Sequence, residues 1–152
     1  MHTMLRRVAL HASGRALQSR AYHAPVREMK FLLNEVHDFP GHYAELSRAQ
    51  GEVDETAPIQ PCDRETLDMV VEATQQLCEN ELAPLLGVAD SEGCTHIDAH
   101  TIKTPAGFKE AYQIFAESGW QGLCYPPQYG GQGLPKSLAL IQGEMTATAN
   151  CA

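Results

Sequence analysis

The sequence has no apolar run approaching the roughly 18 residues that a membrane-spanning helix needs, so no transmembrane segment is expected. It also lacks any CxxC spacing. Its five cysteines, at 62, 78, 94, 124 and 151, are an odd number, which points to free thiols in a reducing compartment rather than a disulfide framework. No glycine-rich dinucleotide fingerprint, P-loop, nucleophile elbow or HExxH motif is present, which removes the usual anchors for nucleotide, hydrolase and zinc-protease functions. The basic residues gather at one end: residues 1–26 carry Arg6, Arg7, Arg15 and Arg20 and no Asp or Glu. All 19 acids lie beyond, against seven Lys and Arg, giving the body a net charge of −12. Such a surface repels phosphate and argues against nucleic acid and anionic membrane as partners.

What is present is organised around one stretch, Gly119–Pro135, reading GWQGLCYPPQYGGQGLP. Three prolines and five glycines exclude a helix interior. Trp120, Leu123, Tyr125, Tyr129 and Leu134 nevertheless give the loop apolar contacts of its own, so it reads as a structured loop in which Gly130 and Gly131 supply positive φ or close backbone approach. Upstream, Asp63 is a fair N-cap and Leu67, Val70, Val71, Thr74, Leu77, Cys78 and Leu82 follow the 3.6 period, predicting the longest helix over 63–82, ended by Pro84 and Gly87. A second helix is expected to open at Thr104-Pro105, to bury Phe108, Ala111, Tyr112, Phe115 and Ala116, and to end at Gly119. A last helix follows Pro135 and carries Leu138, Ile141 and Met145 unshielded to the terminus, which reads as a truncated domain with a tendency to self-associate.

Elsewhere the signals are weaker. Residues 22–60 read as an arm: an apolar segment with Met29, Phe31, Leu33 and Val36 stopped by a Pro40-Gly41 turn, then at most a short helix over 43–48. His96 and His100 would share a face only on a helix, whereas Thr95, Ile97, Thr101 and Ile102 favour extended chain, so they are expected as surface histidines and not a metal pair. Residues 1–21, basic and acid-free with Leu5, Val8, Ala12 and Ala16 near helical spacing, have the composition of a mitochondrial transit peptide, a disordered basic N-terminus being the alternative.

The run Gly119-Trp120 through Tyr129-Gly130-Gly131 and Gly133-Leu134-Pro135 resembles the loop near the end of the N-terminal helical domain of flavin-dependent acyl-CoA dehydrogenases. Tyr22, Ala24-Pro25, Arg27, Met29, Phe31, Leu33 and Glu35-Val36 resemble the opening of a long subgroup that includes dehydrogenases of methylmercaptopropionyl-CoA. The resemblance implies an all-α fold, with residues 61–152 as the helical domain, while the composition of residues 1–21 is what points to the mitochondrial matrix. The resemblance also implies α,β-oxidation of an acyl-CoA with FAD as cofactor, the base and principal flavin contacts belonging to domains that this sequence does not contain. No catalytic or flavin-binding residue is therefore assigned, and the chain alone is expected to be inactive. The substrate-facing candidates that it implies are Leu140, Ile141, Glu144 and Met145 on the last helix, with Tyr129, Gly130 and Gly131 either shaping the pocket or only turning the chain. A homo-oligomer or association with a full-length relative is the expected assembly. The alternative reading is a non-catalytic mitochondrial helical interaction module.

Overall fold

A computed structural model describes residues 22–53, 60 and 62–151 of the chain; the basic segment 1–21 lies outside them. Helix α1, Val26–Phe31, continues as a wider π-type turn over Leu32–Val36, and α2 spans Phe39–Val53. Helix α3, Arg64–Leu77, runs on through a π-type turn, Cys78–Leu82, and a 3-10 turn, Ala83–Leu85, into α4, Leu86–Glu92. Strands β1, Thr95–Asp98, and β2, Thr101–Lys103, form an antiparallel hairpin, after which come α5, Phe108–Glu117, and α6, Lys136–Ala149. The described residues are thus mainly helical with one two-stranded hairpin, close to the all-α expectation.

Helix α3 forms where the sequence placed it. The Asp63 carboxylate accepts from the Thr66 N–H at 2.8 Å, and Leu67, Val70, Val71, Thr74 and Leu77 are all buried on one face. That same hydrogen bond holds the Asp63 carboxyl below its ordinary pKa. Pro84 does not stop the chain, because it sits at the start of a fresh 3-10 turn where a missing N–H costs little.

Three local expectations are corrected. Pro40-Gly41 does not terminate the arm but lies in the first turn of α2, where proline's fixed φ suits a helix start. The reversal is made one step earlier by Asp38, at φ 45°, whose Oδ1 accepts from the Gly41 N–H at 3.3 Å. Helix α5 begins at Phe108 and not at Thr104, its N-cap being Gly107 with no capping side chain. And Leu138 and Met145 are not unshielded: both are fully buried, with Ala149, where α6 packs on α3. Tyr43, also fully buried, joins α2 to α6 through a 2.8 Å hydrogen bond between its hydroxyl and that of Ser137, and burial raises its phenol pKa.

The N-terminal arm is strapped across α3 and α6. Tyr22 donates to the Met145 carbonyl at 3.2 Å, Asn34 Nδ2 to Asp68 at 2.9 Å, Arg64 to Glu35 at 2.7 Å, and Lys30 pairs with Glu72. Glu79 is the hub, accepting from Gln75 Nε2 at 3.1 Å and from the Ala24 N–H at 2.9 Å, with His23 Nδ1 at 3.6 Å. The Gln75 and Ala24 hydrogen bonds hold its carboxyl below the ordinary value. Because the folded pKa is depressed, this stabilisation is present above the unfolded value of about 4.3 and is lost as pH falls through the folded one. Amide exchange at Ala24 is accordingly expected to accelerate, relative to the core of α3, as pH drops below about 4. In Glu79→Gln that pH-dependent step should vanish; an unchanged pH profile in the variant would show that Glu79 does not hold the arm.

Candidate functional site

The loop between α5 and α6 is built as a narrow backbone ladder. The N–H groups of Gln132, Gly133 and Leu134 donate to the carbonyls of Gly122, Tyr125 and Leu123 at 2.9, 2.9 and 3.0 Å. A 3-10 turn over Pro127–Tyr129 closes its tip, and Gly130, at φ 82°, turns the chain back in the left-handed region where a side chain is strained. Gly131 has a different reason to be glycine: a Cβ there would stand 2.0 Å from the Tyr125 carbonyl oxygen. Underneath, Leu123 is buried and Trp120, Cys124 and Leu134 pack on the core. The Gln60 N–H, donating to the Gly133 carbonyl at 2.9 Å, ties the loop to the segment before α3. The result is a fixed backbone that presents Tyr125 and Tyr129 to solvent, Tyr129 at 79% exposure.

The substrate-facing candidates on α6 fall on different sides of it. Leu140 is 76% exposed and Glu144, one turn on, is exposed beside it, while Ile141 is half-buried against the core. Met145 is 0% exposed, so its side chain belongs to the core and does not reach the surface that Leu140 and Glu144 share. Of the loop candidates, Tyr129 and Gly130 are exposed and Gly131 is half-buried beneath Tyr125.

The three cysteines in or beside the core are held in the thiol form by burial. All five cysteines are free; burial pushes Cys62 and Cys78 up to about 11 and raises Cys124, whose thiol lies 3.2 Å from the Pro135 carbonyl.

Sequence reasoning missed a cleft. The stripe Phe108, Ala111, Tyr112, Phe115 and Ala116 on α5 is not buried throughout as the apolar period predicts: only Ala111 is, Phe108 and Phe115 are half-buried, and Ala116 and Tyr112 are exposed, Tyr112 at 64%. Facing the stripe, Leu82 and Leu85 from the turns after α3 leave an opening of about 180 Å³, with Asn150 at one end. The apolar period marked the stripe, but nothing in the sequence shows that the opposite wall stops short of it. Two shallower grooves differ in character. One, of about 580 Å³, is lined by Lys30, Arg64, Glu65, Asp68, Met69 and Glu72, and the other, of about 510 Å³, lies between α3 and α5 beside Glu81 and Trp120.

Comparison with known proteins gives the arrangement a lineage. A curated relative, 3-methylmercaptopropionyl-CoA dehydrogenase of Ruegeria pomeroyi, is 29% identical over 129 residues, covering 85% of this chain and 20% of the relative. The chain therefore spans about a fifth of the length of that relative. Residues 64–152, from the first residue of α3 onward and including the loop and α6, match the family described as acyl-CoA dehydrogenase, N-terminal domain. With more than half of its length inside that match, the chain belongs to the acyl-CoA dehydrogenase family through its N-terminal helical domain.

Proposed function

We propose that this chain serves a flavin-dependent oxidation of an acyl-CoA between Cα and Cβ, as the helical domain that forms one wall beside the substrate. The observation that carries the reading is the pairing of family membership with exposed apolar groups on rigid backbone: Tyr129 on the loop ladder and Leu140 on α6. Apolar groups carried on backbone that is already hydrogen-bonded into a loop or helix bind without the cost of ordering that backbone. In this reading Leu140, Ile141 and Glu144, with Tyr129, Gly130 and Gly131, flank the acyl group. The reaction requires a base at the α-carbon and a flavin to take the β-hydride.

The described residues do not fit FAD by themselves. The cleft of about 180 Å³ is below the roughly 300–1,000 Å³ of typical ligand sites, and the groove of about 510 Å³ beside Glu81 and Trp120 is large enough but has no cation in its lining to meet a pyrophosphate. The groove that does hold cations spends Lys30 on Glu72 and Asp68 and Arg64 on Glu35, leaving a carboxylate-rich surface hostile to a pyrophosphate. Principal contacts to the flavin would come from other domains of such an enzyme.

The test is a titration of the chain, isotope-labelled at methyl groups and tyrosine rings, with a panel of acyl-CoAs, alongside FAD absorbance and dye reduction. Saturable shifts are expected at Leu140, Ile141 and Tyr129, reduced at least tenfold in affinity by the Leu140→Ala, Tyr129→Ala pair. Neither stoichiometric flavin nor dye reduction is expected from the chain alone. Shifts absent up to the solubility limit would remove the substrate-wall reading, and a yellow protein bleached by acyl-CoA would promote Glu144 to a base.

We propose in addition that residues 1–21 direct the chain to the mitochondrial matrix, since a basic, acid-free segment suits import towards a negative interior. A reporter carrying residues 1–26 is expected in mitochondria. Diffuse cytosolic signal identical to the unfused reporter would refute this.

A further inference from the structure

We draw no further inference here: the strongest candidate, the β1–β2 hairpin with Ile97 and Ile102 exposed and no third strand beside it among the described residues, is an unpartnered apolar face, and nothing in the structure shows what covers it.

Discussion

Gly131→Ala is expected to be among the most damaging single-methyl changes in this protein, lowering stability by about 3 kcal/mol. The added Cβ would stand 2.0 Å from the Tyr125 carbonyl oxygen and 2.4 Å from its carbon, well inside contact distance. A side chain in that position could rotate away, but Tyr125 O also receives the Gly133 N–H at 2.9 Å, so relief must come from breaking the ladder. Overpacking usually costs about 1–3 kcal/mol, and the upper end applies because the obstacle is backbone. In thermal unfolding that is a fall of roughly 10 °C for a domain of this size. Gly143→Ala is the control: Gly143 is inside α6 with nothing within 4 Å of a built Cβ, so alanine should be neutral or add up to ~1 kcal/mol through helix propensity. Equal and small effects at both positions would mean that the loop yields, and that the Tyr125–Gly131 approach is not what fixes it.

The parts of this fold that could be read from sequence are those in which a single local rule acts alone. Asp63 before a 3.6-period apolar run has one interpretation, and α3 forms there. The loop was legible for the same reason, since Gly130 takes the positive φ and Gly131 the close approach that paired glycines allow. Where two rules compete, the residues alone do not decide between them. Pro40-Gly41 satisfies both a turn and a helix first turn, and only Asp38, at φ 45° with its carboxylate on Gly41, decides for the helix. The π-type turns at Leu32–Val36 and Cys78–Leu82 have no proline, glycine or other sequence mark of their own. The site candidates on α6 illustrate a further limit. Leu140 and Met145 are five residues apart, about 140° around a helix, so they cannot serve one face. Family resemblance grouped them, and helical geometry separates them.

That separation gives the second large effect. Met145→Ala is expected to cost about 2–5 kcal/mol, the range for truncating a fully buried side chain and leaving a cavity. Met145 is 0% exposed and lies in one cluster with Leu67, Val71, Leu138 and Ala149, where α6 meets α3. Its carbonyl keeps the Tyr22 hydroxyl in either variant, so the change reads packing and not the arm's hydrogen bond. Met145→Leu, close in volume, should cost less than about 1.5 kcal/mol. Leu140→Ala, on the 76% exposed side of the same helix, should stay within about 0.5 kcal/mol. Urea unfolding of the three variants checks the ordering, with a constant m-value confirming that stability and not the unfolded state has changed. If Met145→Ala cost no more than Leu140→Ala, Met145 would have to be a surface residue. It would then rejoin Leu140 and Glu144 as part of the substrate wall, and α6 would not pack on α3 through that side chain.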